Sequence, residues 1–308
     1  MTNWVYMDGK YVPLEEAKIS ITTHAFLYGT ACFEGIRAYW NAEKEQLYVF
    51  RPREHYERLA DSCRILGIAL PHTVDELCRI TVELFQKNQF RQNIHFRPFA
   101  YKSKEKSGQI SLDMRNVGDA FFIWAQPFGK YIQTKGAKCC ISSWRQTDDN
   151  SISRRAKISA AYILSALARS EAGHNGYDEA ILLNQDGHVS EGSGENLFMV
   201  RKGKLTTPAV TENLLEGITR ATVIEIAEAE LGIKTVERAV DRTELYAAQE
   251  LFFCGTGAEI TPIVQVDGRT IGTGEVGPLT QKISDLYFDI VYGRNPKYSR
   301  WLTPVYAK

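Results

Sequence analysis

Apolar and polar positions alternate along this chain in two different periods. WVYMDGKYV (4–12) carries an apolar residue at nearly every second position around Asp8-Gly9, a pair suited to a two-residue turn, and predicts a hairpin. QLYVF (46–50) predicts a further strand. PREHYERLADSCRIL (52–66) shifts to a helical period, with Pro52 suited to a first turn. Thr73 and Glu76 have capping-box spacing, and the apolar positions of ELCRITVELFQKN continue that start as a second helix. IHFRPFAY (94–101) and AFFIWAQP (120–127) predict strands, separated by the polar stretch KSKEKSGQISLDMRNVGD.

The pattern breaks at Pro127, Gly129 and Gly136. This break divides the chain into an N-terminal domain (1–127), a linker (128–135) and a C-terminal domain (136–308). Beyond it, CCISSW (139–144) predicts a strand and ISAAYILSALARSEA (158–172) a helix. EAILLNQDGHVSEG predicts a hairpin turning at Asp186-Gly187, and a second is expected at Asp267-Gly268. A helix over 220–231 ends at Gly232. There is no internal repeat and no low-complexity tract. Helices mixed with many hairpins predict an α+β class with largely antiparallel sheets, because strands and helices do not alternate regularly enough for a doubly wound parallel fold.

Composition narrows the function classes. Lys+Arg and Asp+Glu are 37 each, so no overall field attracts nucleic acid or an anionic membrane. No apolar run approaches the roughly 18 residues of a membrane span. The N-terminus reads directly as a strand, so no secretory signal is expected and the protein is expected to be cytoplasmic. Six cysteines form no CxxC pair and no metal-like spacing with the six histidines, which predicts reduced thiols and no metal site.

Four stretches carry candidate chemistry. RRAKISAAY (154–162) has three cations in four positions, then Tyr162. SEGSGENLF (190–198) sets two acids and two glycines before an apolar strand, and a buried carboxylate there needs a cationic partner. Gly217-Ile218-Thr219 stands at a helix entrance, where free N–H groups and a hydroxyl can meet an anion. CGTGAEITP (254–262) offers Thr256 between two glycines. Taken singly, each favours the plainer reading of a solvated patch, a turn or an ordinary helix start.

Their joint order resembles the branched-chain amino-acid aminotransferases, pyridoxal 5′-phosphate enzymes of fold type IV. YGTACFEGIRAY (28–39), FRPREHYERL (50–59) and the Arg-Pro of FRPF (96–99) extend the likeness over nearly the whole chain. The resemblance implies a smaller N-terminal α/β sandwich and a larger C-terminal pseudo-barrel. It implies that Lys157 is the catalytic lysine, bound as an imine to the cofactor aldehyde; only a primary amine forms an imine that a substrate amine can displace. Glu191, rather than Glu195, would pair with the pyridine nitrogen, and Tyr162 would approach the phenolate oxygen. Arg58, the backbone of Ile218 and Thr219, and Thr256 would hold the phosphate. Tyr28, Phe33 and Arg37 would line the substrate side-chain pocket. Gly257 and Ala258 would offer backbone N–H groups to the α-carboxylate, and Arg97 would accept the distal carboxylate of glutamate. Arg154 and Arg155 are expected to be solvent-facing or structural.

The implied reaction transfers an amino group from leucine, isoleucine or valine to 2-oxoglutarate in a ping-pong cycle. The implied assembly is a homodimer or higher oligomer, with Tyr28 and the 102–116 loop reaching the neighbour's site. Two positions depart from the family pattern. His95 stands where a tyrosine is usual, two residues before Arg97, and Glu216 replaces a proline. His95 leaves open a transaminase of wider scope, acting on other apolar or aromatic amino acids, D-amino acids or primary amines. A non-catalytic binding module is the remaining alternative, and the presence of Lys157, Glu191, Arg58 and Thr256 speaks against it.

Overall fold

A computed structural model describes residues 3–105, 111–129 and 135–306. The chain forms two compact units. The first comprises Met1–Gly129, Ala156–Ala160 and Ile290–Lys308; the second comprises Lys130–Arg155 and Ala161–Asp289. The contiguous division at 127 therefore differs in two segments, which return to the first unit after the chain has entered the second. Their backbone partners explain the return: Phe33 N donates to Lys157 O, and the strand Leu302–Pro304 pairs with Phe50 to Tyr48. The expected linker 128–135 and the expected 102–116 loop both include positions outside the described residues, 130–134 and 106–110.

In the first unit the sheet contains β1 (Trp4–Met7), β2 (Lys10–Pro13), β3 (Ala31–Phe33), β4 (Ile36–Asn41), β5 (Gln46–Phe50), β6 (Ile94–Glu105) and β7 (Val117–Pro127). The order is C-terminal strand, β5, β4, β6, β7, β1, β2, with β3 also on β6. Every pairing is antiparallel. Asp8 and Gly9 both take positive φ, 46° and 87°, so the β1–β2 turn is of the expected two-residue kind. The helix Val74–Asn88 starts with the predicted capping box, Thr73 with Glu76. It buries Leu77, Ile80, Thr81, Leu84 and Phe85, a single stripe at helical spacing. The helix Pro52–Leu66 has the predicted limits.

The second unit has a sheet of β8 (Ala137–Arg145), β9 (Glu179–Leu183), β10 (Val189–Gly192), β11 (Asn196–Arg201), β12 (Lys204–Pro208), β13 (Val236–Arg238), β14 (Glu250–Gly255), β15 (Glu259–Val266) and β16 (Arg269–Thr270). Here the expectation of largely antiparallel pairing holds less well: β8–β9, β8–β15 and β12–β13 are parallel. For β8–β9 the connection is a helical crossover. β8 leads through the helix Tyr162–His174 to β9, and a parallel pair needs such a connection. That helix packs Ala168 and Ala172 on Cys140, Ala180 and Leu182. A second cluster, including Leu197, Met199, Leu251 and Phe253, fills the core around β11 and β14. The predicted α+β class is met. All six cysteines are free thiols, and no helix among the described residues is long and apolar enough to cross a membrane.

Candidate active site

The first unit gathers Lys157, Phe33, Arg58, Arg37, His95 and Arg97. Lys157 sits in a segment fixed at its backbone. Its N–H donates to Ser62 Oγ at 3.0 Å and its carbonyl accepts from Phe33 N at 3.1 Å. Cys32 and Ile158 form a further bridge. Gly29 has φ 70°, and a Cβ there would stand 2.9 Å from Ala160 Cβ, so this close approach to the lysine segment requires glycine. Lys157 Nζ lies 5.0 Å from the Phe33 ring centroid and Arg97 Cζ lies 4.7 Å from it. Two cations thus share one aromatic ring.

On the helix 52–66, His55, Arg58 and Ser62 recur at helical spacing on one face. Arg58 donates Nε to Glu34 Oε1 at 2.8 Å and Nη2 to Oε2 at 2.7 Å, and His55 Nδ1 is 2.7 Å from Oε2. Burial raises the fully buried Glu34 carboxyl, but Arg58 and His55 outweigh it and hold it down at about 2. Burial lowers His55 as well, so neutral His55 donates Nδ1–H to the ionised Glu34. Glu34 lies in the YGTACFEG stretch, yet neither it nor His55 was predicted as a site residue. The signal was available in the helical spacing of His55 and Arg58.

Arg37 and His95 are directly paired across β4 and β6, with Arg97 two residues along. Arg37 Nη2 donates to the carbonyls of Phe128 and Gly129 at 3.0 and 2.7 Å. Burial, reinforced by Arg97 and Arg37, pushes His95 down to about 3, so its imidazole is neutral. A Cβ at Gly35 would lie 3.2 Å from His95 Nε2. Tyr28 ends the short helix His24–Tyr28 and is 39% exposed, with its ring 4.7 Å from that of His24.

The second unit gathers Glu191, Tyr162, Ile218, Thr219, Thr256, Gly257 and Ala258. Glu191, on β10, is buried and accepts four hydrogen bonds. Gln146 Nε2 and Arg154 Nη2 donate to Oε1; Asn196 Nδ2 and Leu215 N donate to Oε2. Four donors on two oxygens describe an ionised carboxylate. Glu195 is different. Burial and the neighbouring Glu179 raise its carboxyl well above the usual range, and Gly194 N donates to its Oε2. The two carboxyls thus differ in their surroundings: Glu191 is held by four donors, and Glu195 stands beside Glu179.

Arg154 and Arg155 divide between the two expected alternatives, structural and solvent-facing. Arg155 is exposed and pairs with Glu216 at 3.0 Å, but Arg154 is only 4% exposed and pairs with Glu191. Its guanidinium carbon lies 5.5 Å from the centroid of the Tyr162 ring. Burial lowers Arg154, and Glu191 with Tyr162 more than offsets this, so it stays above the ordinary arginine value. In sequence it looks like one member of a basic run. Its burial is set by tertiary packing.

Ile218 is the first residue of the helix Ile218–Leu231, two residues earlier than predicted. Gly217 is its N-cap and contributes no side-chain cap. A Cβ at Gly217 would fall 2.0 Å from Asn196 Oδ1, so glycine admits the side chain that also bonds Glu191. Thr256, Gly257 and Ala258 form the turn between β14 and β15, where Gly255 pairs with Glu259; Thr261 Oγ1 donates to Ala258 O at 2.7 Å.

Residues 31–266 match the model of the class IV amino-transferases. A probable branched-chain-amino-acid aminotransferase from Aquifex aeolicus is 48% identical over 99% of this chain and 98% of its own length. Among solved structures, a branched-chain aminotransferase from Thermoproteus uzoniensis with norvaline superposes with a TM-score of 0.94. It is 48% identical and covers 99% of this chain and all of its own. The enzyme of the same description from Thermobaculum terrenum, in its PLP (holo) form, gives 0.92 at 40% identity, with 99% of each chain covered. The fold-type-IV architecture expected from sequence is met by these likenesses.

Proposed function

Because the chain belongs to the branched-chain aminotransferases within the class IV aminotransferase family, we propose that it transfers the amino group of leucine, isoleucine or valine to 2-oxoglutarate with pyridoxal 5′-phosphate as cofactor. The cofactor supplies an aldehyde that condenses with amines and a ring that withdraws electrons from them. The residues present suit such a group. The first-turn amides of the helix 218–231 have no side-chain cap, Arg58 is a preset guanidinium, and Lys157 is a primary amine.

Within this reading Lys157 would be the attaching amine and the base that moves the substrate Cα proton. Glu191 would serve the ring nitrogen and Tyr162 the ring oxygen. Arg58, Ile218, Thr219 and Thr256 anchor the phosphate. Phe33, Arg37 and Tyr28 line the side-chain pocket, Gly257 and Ala258 meet the α-carboxylate, and Arg97 beside neutral His95 takes the second carboxylate of glutamate. The wider-scope transaminase raised by His95 is not favoured by relatives that carry the branched-chain name. We place the enzyme in the cytoplasm as a homodimer or larger homo-oligomer.

Lys157, clamped at its backbone with its amine against Phe33, is the observation that carries this reading. Single-turnover half-reactions with leucine and with glutamate test it. Lys157→Ala loses several orders of magnitude in both. Arg97→Leu loses roughly 3–5 kcal/mol of transition-state binding with glutamate, since a desolvated carboxylate loses its partner, and far less with leucine. Transamination by Lys157→Ala at the wild-type rate would overturn the assignment.

A further inference from the structure

The proposed reaction gives Asn196 no task, yet this side chain touches two separate parts of the second unit's candidate machinery. Its amide nitrogen has two hydrogens and meets two acceptors. Nδ2 donates to Glu191 Oε2 at 3.2 Å and to the carbonyl of Leu215 at 2.9 Å. Leu215 N donates in turn to the same Glu191 oxygen, at 3.1 Å. Both polar backbone groups of Leu215 are therefore held by the Glu191–Asn196 pair. Two positions further on stands Gly217, the N-cap of the helix Ile218–Leu231.

Gly217 meets the same side chain directly. Its φ of −72° and ψ of 134° suit any residue, so the backbone does not demand glycine here. Asn196 does: a Cβ on Gly217 would fall 2.0 Å from its Oδ1 and 3.2 Å from its Cγ. One buried amide thus bonds the acid, bonds the loop and packs against the helix start. We propose that Asn196 is a positioning residue that locks Glu191 and the start of the helix 218–231 into one body, so that the carboxylate for the ring nitrogen and the amides for the phosphate keep a fixed spacing. This rests on the proposed reading, which assigns those two tasks. A ligand gripped at two points gains from both only when their spacing is held by such supporting bonds.

The test measures dissociation constants of the full chain, freed of cofactor, for inorganic phosphate and for pyridoxal, which lacks the phosphate. Asn196→Ala, Asn196→Asp and Gly217→Ala each weaken both ligands about tenfold, the worth of one or two hydrogen bonds. Asn196→Asp keeps the shape but, once ionised, donates nothing and sets a second carboxylate against Glu191, so it does no better than Asn196→Ala. Asn196→Ala combined with Gly217→Ala binds no more weakly than either alone, because each removes the same contact. Gln146→Ala, which takes a donor only from Glu191 Oε1, weakens pyridoxal and leaves inorganic phosphate unmoved. Wild-type phosphate binding in both Asn196 variants would overturn the inference and leave Asn196 as a support of Glu191 alone. Wild-type behaviour of Asn196→Asp towards both ligands would overturn it too, since filling space would then suffice. Should neither Asn196 variant fold, unmoved phosphate binding in Gly217→Ala overturns it equally. Failure of the underlying reading looks different: wild type would then bind neither ligand and show no band that borohydride fixes to Lys157.

Discussion

Each unit buries a carboxylate among its own candidate residues, and the two carboxylates are used in opposite ways. In the first, Glu34 faces Arg58 fork to fork, with His55 on the second oxygen. The anion serves a cation, which is left rigid and aimed. In the second, Glu191 divides its oxygens among Gln146, Arg154, Asn196 and Leu215, contributed by four separate stretches of chain. There the donors serve the anion, and the anion gathers loops. A bidentate pair concentrates its stabilisation in one partner, whereas a shared carboxylate spreads it over several. One deletion should therefore be severe in the first unit and moderate in the second.

The largest effect is expected from Glu34→Gln. It replaces the carboxylate that faces the part-buried Arg58 with a neutral amide, and denaturant unfolding should show a loss of roughly 3–5 kcal/mol, with weaker binding of pyridoxal phosphate. Next comes Glu191→Gln, where the amide still accepts on one oxygen. Losing one charge-assisted bond is worth roughly 1.5–3 kcal/mol, or about one to two decades in kcat/KM. Equal stability losses in the two variants would break the contrast drawn between a bidentate pair and a shared anion.

The smallest effect concerns pH, and it has one sign for Glu34 and His95 and the opposite sign for Glu195. Glu34 at about 2 and His95 at about 3 both lie below their ordinary values. For each, the unfolded chain binds the proton more readily, so stability is complete above the ordinary value and is lost on acidification. The windows run from about 6.5 to 3 for His95 and from about 4.5 to 2 for Glu34. Glu195 is raised instead, so its contribution is complete at low pH and declines as pH climbs above the ordinary carboxyl range. Thermal melts across pH should show a shallower acid decline for His95→Gln and a shallower decline on the alkaline side for Glu195→Gln. The opposite slopes in either variant would reverse the assignment of charge states.

Local sequence determined much of this molecule because the forces involved act over a few residues. The Asp8-Gly9 turn, the Thr73–Glu76 cap and the limits of the helix 52–66 follow from backbone preference and period alone. The order of Lys157, Tyr162, SEGSGENLF and GTGAEITP was enough to identify the family. Counter-ions were not legible, since a partner's identity depends on which distant segments meet. Glu34 reaches Arg58 across 24 positions and Glu191 reaches Arg154 across 37. Arg154 and Arg155 are chemically identical neighbours; one is buried against a carboxylate and the other exposed beside Glu216. Likewise the return of 156–160 and 290–308 to the first unit, and the parallel pairs around β8, arise from long-range strand pairing that no local pattern encodes. The sequence by itself decided the family. Tertiary structure decided which side chains are charged and held, because desolvation and pairing exist only once the chain has closed around them.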